Sequence, residues 1–244
     1  EVICLVRDAQ RLNVAPEIRD RIKVVESDLL DRNSLNKLPK HIDSAFYLVH
    51  SMSSSDDYAD LEAKAAENFV EALSTRNTKQ VLYLGGISNE EQLSKHLASR
   101  QNVGEILSKG SFALTWLCAG IIIGSGSASF EIIRDLVEKL PVMITPKWLK
   151  TKCQPIAIAD VLQILRSSLG NEQCYDQKFD IGGPDVLTYK EMLLQFASVR
   201  GLKRWIITVP VMTPRLSSYW LYFVTSTTYK LASSLVDSMK VEVI

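Results

Sequence analysis

The sequence predicts an α/β fold built on a doubly wound parallel sheet, and two observations carry that expectation. Short runs rich in Val, Ile, Leu and Phe recur at residues 1–6, 22–25, 44–49, 80–84 and 112–118. They lack the strict polar alternation of a half-exposed strand, so they read as strands buried on both faces. Stretches of helical period separate them, and strand–helix alternation of this kind points to a parallel sheet with helices on both faces. At 244 residues the chain can hold one such domain with a smaller appended region.

Taken in order, residues 1–6 form a strand that ends at Arg7-Asp8. A helical stretch follows over 11–21, a second strand over 22–28, a short polar helix over 31–38 and a third strand over 44–50. No Gly-rich strand-to-helix turn precedes the first strand. The pattern is therefore a Rossmann-type sheet entered one unit late, lacking its first strand and phosphate-binding loop. A Ser/Asp-rich loop at 52–57 leads to 58–76, where Ala63, Ala66, Phe69, Val70 and Leu73 recur at helical spacing. Then come a strand over 80–86, a helix over 93–108, a strand over 112–118 and the loop 124–129.

The next helix, 130–140, is stopped by Pro141. Residues 154–160 read as a short strand whose Asp160 caps a helix over 161–169, and 178–181 as a further strand. Thr188 and Glu191 have capping-box spacing ahead of a helix to Val199. Past residue 200 the chain becomes aromatic and irregular, which sets the expected division: 1–200 a partial Rossmann-type domain and 201–244 the start of a small helical C-terminal region.

Charge and composition exclude several classes. Lys plus Arg and Asp plus Glu are equal at 28 each, so no general basic field exists to attract nucleic acid. Cys4, Cys118, Cys153 and Cys174 show no C-x-x-C spacing and read as reduced thiols of a cytoplasmic protein. His41, His50 and His96 are too scattered to suggest a metal site. No uninterrupted apolar stretch reaches the length of a membrane span.

Two stretches are distinctive: residues 119–130, running Ala119-Gly120-Ile121-Ile122-Ile123-Gly124-Ser125-Gly126-Ser127, and 154–161, Gln154-Pro155-Ile156-Ala157-Ile158-Ala159-Asp160-Val161. With the order of elements, they resemble the atypical and extended short-chain dehydrogenase/reductase superfamily, within it the NAD(P)H-binding, NmrA-like branch. A bacterial group of that branch carries a further domain after its Rossmann core. Residues 209–220, from Val209-Pro210 to Tyr219-Trp220, are similar to the opening of that domain, and the chain then reads as truncated at both ends.

The resemblance implies site positions. Arg7, at the tip of the family's second strand, faces the adenosine ribose, and a guanidinium there suits a 2′-phosphate, which favours NADP while leaving NAD possible. Asp28 and Leu29 match the adenine contact, although Asp28 also suits a helix cap. His50 and Ser51 fall in the loop beside the cofactor's phosphates and ribose. Gly85, Gly86, Ala119 and Gly120 fall at strand ends near the nicotinamide, and Ser125, Ser127 and Ser129 would line a substrate pocket. Active members carry Tyr-x-x-x-Lys on a helix, where the Lys lowers the phenol's pKa and the phenol gives a proton to a carbonyl. Here His96 and Arg100 stand in that register, Gly86 matches the catalytic Ser/Thr, and Ser88 is a displaced substitute.

The aromatic residues of 205–235, Trp205, Tyr219, Trp220, Tyr222, Phe223 and Tyr229, suit an interface or substrate cap better than an anionic membrane surface, because Lys and Arg are sparse among them. The expected function is an NADPH-dependent oxidoreductase acting on a small carbonyl-type substrate. A non-catalytic NAD(P)-binding regulator or scaffold, with a protein partner, is the alternative.

Overall fold

The computed structural model describes residues 1–50, 58–87, 95–145, 147–209 and 242. Strands β1 (Val2–Val6) and β2 (Ile22–Glu26) bracket a single 3₁₀ turn and a four-residue helix, α1 (Pro16–Arg19). The expected helix over 11–21 is thus cut to one turn. None of the α1 residues is buried, so no apolar face repays the cost of a longer helix. Strand β3 (Ser44–Tyr47), helix α2 (Tyr58–Ser74), β4 (Gln80–Gly86), α3 (Lys95–Leu107) and β5 (Ala113–Ala119) follow as alternating units.

Beyond them lie β6 (Ile122–Ile123), α4 (Ala128–Lys139), β7 (Val142–Thr145), β8 (Lys152–Cys153), β9 (Ile156–Ala157), α5 (Ile158–Ser168), β10 (Gln177–Ile181), β11 (Leu187–Thr188), α6 (Tyr189–Val199) and β12 (Trp205–Thr208). Thr188 caps α6 with the complete capping box, its hydroxyl accepting from the Glu191 N–H while the Glu191 carboxylate accepts from the Thr188 N–H. Asp160 does not cap α5. That helix begins three residues earlier, because Ile156 and Ala157 leave a two-residue pairing with β6 and turn straight into helix.

The main sheet is parallel with strand order β10-β5-β4-β3, and β4 and β5 are in register from Gln80 opposite Ala113 to Gly86 opposite Ala119. Successive side chains of β4 point to opposite faces. Val81 and Tyr83 join a core with Ala66, Phe69 and Leu73 of α2 and Val103 and Leu107 of α3. Leu82 faces the other way, into a second core with Leu117 of β5 and Val161 and Leu165 of α5. Helices therefore cover both faces, as the apolar strands required. A third cluster joins α4 and α6 to Met143 of β7, with Ile206 of β12 packed against it.

β7 and β12 form a parallel pair, Val142 opposite Trp205 through Thr145 opposite Thr208, in a region the sequence left irregular. Both strands have four residues, too few for periodicity to distinguish them from loop. β1 and β2 form a separate parallel pair. Leu5, Leu29 and Leu30 nonetheless join the core beneath α2, and the Asn68 side-chain amide donates to the Leu29 carbonyl at 2.7 Å, tying this pair to the helix.

Polar anchors fix the sheet at its amino-terminal edge. The fully buried Gln80 amide donates to the Thr115 hydroxyl and the Ser168 carbonyl, both at 2.8 Å, and accepts from the Gly170 N–H at 2.8 Å. One side chain thereby joins β4, β5 and the end of α5, with its donor and acceptor both used.

Packing of α3 depends on a glycine. A Cβ at Gly104 would lie 2.3 Å from two Trp116 ring carbons, so the helix sits directly on the indole. Gly104→Ala gains helix propensity of up to about 1 kcal/mol but overpacks the ring at about 1–3 kcal/mol. The expected outcome in urea denaturation is net destabilisation, relieved in the Gly104→Ala/Trp116→Leu double variant relative to the sum of the two single changes.

Candidate functional site

The carboxyl ends of β3, β4 and β5 converge on a group of polar side chains. β4 ends in Gly85-Gly86 and is followed by Ile87, whose N–H donates to the Ala119 carbonyl of β5 at 3.2 Å. Residue 86 carries no side chain, and the Leu97 and Arg100 side chains lie against the place from which one would project. A Cβ there would lie 3.1 Å from Leu97 Cδ2, 3.5 Å from Arg100 Cδ and 3.7 Å from Arg100 Nη1. The Arg100 side chain thus lies across the position from which a residue-86 side chain would project.

Arg100 is held there by its helix. The Tyr83 hydroxyl donates to the Arg100 carbonyl at 2.9 Å, and the Tyr83 ring lies 5.9 Å from that of Tyr47 and 5.8 Å from that of Trp116. Burial pushes the Tyr47 and Tyr83 phenols well above their ordinary range, with Glu62 adding to the rise in both, so they stay protonated at neutral pH. The buried Glu62 of α2 accepts a short hydrogen bond from the buried Ser99 hydroxyl of α3. Among the described residues no carboxylate forms an ion pair with Arg100, and its buried Nε has no hydrogen-bond partner.

His50, after β3, belongs to the same electrostatic group. Desolvation, and then the Arg100 charge, hold its imidazole below the ordinary histidine value, while Glu62 and a hydrogen bond to the Leu48 backbone oppose them. Over a third of its surface remains open to solvent. His96 lies one turn before Arg100 in α3, and its side chain is outside what the structure describes. Ser51 and Ser88 also lie outside the described residues.

The adenosine-side positions sit at the tips of β1 and β2. Arg7 is exposed, and among the described residues no acid pairs with it. Asp28 accepts from the Leu30 N–H at 2.9 Å, an Asx turn, while Leu29 is buried beneath α2. Ala119 is buried at the end of β5, and Gly120 follows it half-buried. Ser127 serves as the cap of α4, accepting from the Phe130 N–H, and donates to the Ile122 carbonyl at 2.7 Å. Ser125 is exposed and Ser129 half-buried in the first turn of α4. A shallow groove of about 440 Å³ runs along α5, lined by Asp160, Gln163, Ile164 and Cys174. None of the sequence-predicted site residues lines it.

Sequence reasoning missed Glu62, Ser99 and Tyr83. A signal existed for Glu62: it shares the buried stripe of α2 with Ala65, Ala66, Phe69 and Leu73, and an acid on such a stripe needs a buried partner. Cys118, completely buried, has its thiol pushed up to about 12 chiefly by desolvation, which excludes it as a nucleophile at neutral pH.

No protein-family model matches the chain, and no curated protein matches it. Solved structures do. A nucleoside-diphosphate-sugar epimerase from Staphylococcus aureus superposes with a TM-score of 0.76 at 14% identity, over 98% of this chain and 80% of its own. Triphenylmethane reductase from Citrobacter sp., complexed with NADP(H), gives 0.74 at 15%, over 98% and 80%. The NADPH-dependent quinone oxidoreductase of Escherichia coli, complexed with NADPH, gives 0.73 at 14%, over 98% and 78%. This chain shares the fold of those three structures, two of which hold NADPH or NADP(H). Among its described residues no helix is long and apolar enough to cross a membrane.

Because the folded His50 value is lowered, the unfolded chain takes up the proton first. Stability is therefore complete above the ordinary value of 6.5 and falls as pH drops through it toward the folded value. In an NMR titration of His50, Arg100→Met is expected to raise the midpoint toward 6.5 by removing a neighbouring positive charge. An unchanged midpoint would place Arg100 out of range of the imidazole.

Proposed function

We propose that the protein is an NADP(H)-binding oxidoreductase whose reacting centre lies at the carboxyl ends of β3, β4 and β5, acting on a small carbonyl-type substrate. The supporting observation is the arrangement of Arg100 across the Gly86 strand end, its charge felt by His50, on a fold shared with NADPH-complexed reductases. In open α/β sheets ligands bind in the crevice beyond the carboxyl ends of the strands, where these groups converge.

Arg7 is the group on which the preference for NADP rests. It is exposed at the tip of β1 with no acidic partner among the described residues, so its guanidinium is free to pair with a 2′-phosphate. The nicotinamide would lie against Gly85, Gly86 and Gly120, where the absence of side chains allows close approach. A bound dinucleotide would supply the hydride. His50 or His96 would hold the proton delivered to the substrate oxygen, a task suited to a group that titrates near neutral pH. Arg100 carries a fixed charge and orients, since it does not deprotonate.

We also infer that one further parallel strand belongs between β1 and β3. Each is an outer strand of its own sheet among the described residues, and the two sheets share the core beneath α2. Such a strand would join them into one sheet and bring a phosphate-binding turn to the crevice. The alternative, a nucleotide-binding regulator with a protein partner, draws support from the absence of a hydroxyl at Gly86.

Calorimetry with both cofactors tests the first reading. Arg7→Ala is expected to weaken NADPH binding by roughly 1.5–3 kcal/mol while leaving NADH binding nearly unchanged. Equal weakening of both would remove Arg7 from the ribose site, and absence of turnover with carbonyl, enone and quinone acceptors would favour the regulator.

A further inference from the structure

We propose that the Arg100 guanidinium, lying across the Gly86 strand end, is the binding group for a carboxylate carried by the substrate. This rests on the oxidoreductase reading above and narrows its substrate class to small oxo acids. Three observations converge on a missing anion.

The first is an orphaned donor. Among the described residues Arg100 Nε is buried without a hydrogen-bond partner, a costly state for a charged group's N–H, and one that a ligand oxygen would relieve. The second is charge that no described carboxylate pairs with. Glu62 is the carboxylate of the group among the described residues; it accepts from the Ser99 hydroxyl, and no ion pair joins it to Arg100. His50 registers the remaining positive field, since Arg100 lowers its proton affinity. The third is position: Gly86 carries no side chain, and the Arg100 side chain, with Leu97, lies against the place from which one would project at the strand end.

The geometry of the guanidinium selects the ligand. Nε–H and one Nη–H point in parallel and match the two oxygens of a carboxylate, a pairing that an ammonium does not reproduce. A phosphate oxygen pair has the same complementarity, so the shared chemistry is a two-oxygen anion, and its source is either the substrate's carboxylate or a dinucleotide phosphate. The position favours the substrate. In this fold the phosphates are held at the first strand-to-helix turn, whereas β4 ends at the nicotinamide side.

The test uses ¹⁵N–¹H NMR of the Arg100 Nε–H and the His50 titration, with oxalate as the carboxylate probe, inorganic phosphate as the second probe and chloride as the control. Oxalate is expected to move the Nε–H signal saturably and to raise the His50 midpoint by cancelling the neighbouring charge. Among the described residues the groups acting on His50 are Arg100, Glu62 and the Leu48 backbone, and of these only the first is neutralised by the probe. Arg100→Lys, which keeps the charge but loses the fork, is expected to weaken oxalate about tenfold or more, and Arg100→Gln to abolish the response.

Saturating NADPH separates the two sources, with cofactor binding read independently by its fluorescence. Oxalate bound alongside NADPH assigns the site to substrate; oxalate displaced by NADPH, or phosphate bound in its place with equal effect, overturns the assignment. No response of Nε–H to either anion overturns it as well. If oxalate binds and NADPH does not, the carboxylate site stands and the oxidoreductase reading falls.

Discussion

The seat of α3 on the sheet is the constraint from which the site follows. Gly104 lets the helix settle on the Trp116 indole, and the Tyr83 hydroxyl grips the Arg100 carbonyl one turn earlier. The Ser99–Glu62 hydrogen bond then fixes α3 against α2. Three contacts of different kinds, steric, polar and charge-assisted, define where the amino-terminal half of α3 lies. Arg100 inherits its position from them, since its neighbour Ser99 is locked and its own carbonyl is taken. A side chain projecting from that turn meets the Gly86 strand end with little freedom left.

Among the described residues the site is electrostatically a balance of one fixed positive charge, one buried acid and two protonated phenols. Burial keeps Tyr47 and Tyr83 neutral, so they act as donors and as packing surface, and their rings join the core beneath α2 and α3. Glu62 is buried on an otherwise apolar stripe and is satisfied in part by Ser99. A buried acid of this kind costs desolvation unless hydrogen-bonded, which explains why Ser99 is itself buried. His50 is the group whose charge changes most readily here, and its field comes from Arg100 and Glu62 with opposite signs. Such a site responds to any ligand that alters either charge.

The wider fold explains why a low-identity likeness is compatible with different chemistry. The parallel sheet and its two helical layers superpose on epimerases and on reductases alike, with TM-scores of 0.76 and 0.74. A fold of this kind tolerates exchange of strand-end residues, because strand ends and loops carry little of the core. In this chain Gly86 and Arg100 are paired through space: an arginine across the strand end is compatible with glycine at 86, since any Cβ there would already press on Leu97.

Most of the layout could be read from the linear chain. Continuous apolar runs over β4 and β5 determined buried parallel strands, because only a strand covered on both faces dispenses with polar alternation. Thr188 with Glu191 determined the start of α6, and Pro141 the end of α4 at Lys139, because caps and imino acids act within a single turn of backbone. The register of His96 and Arg100 on one helix was equally local. Tertiary structure alone decided that the helix after β1 shrinks to one turn, that α5 starts at Ile158, and that β7 pairs with β12 across more than fifty residues of chain. It alone joined Glu62 to Ser99 and laid Arg100 over Gly86, with its charge acting on His50. Those outcomes depend on which surfaces meet after the chain has folded, and no periodicity within one segment encodes the partner a buried charge will find in another.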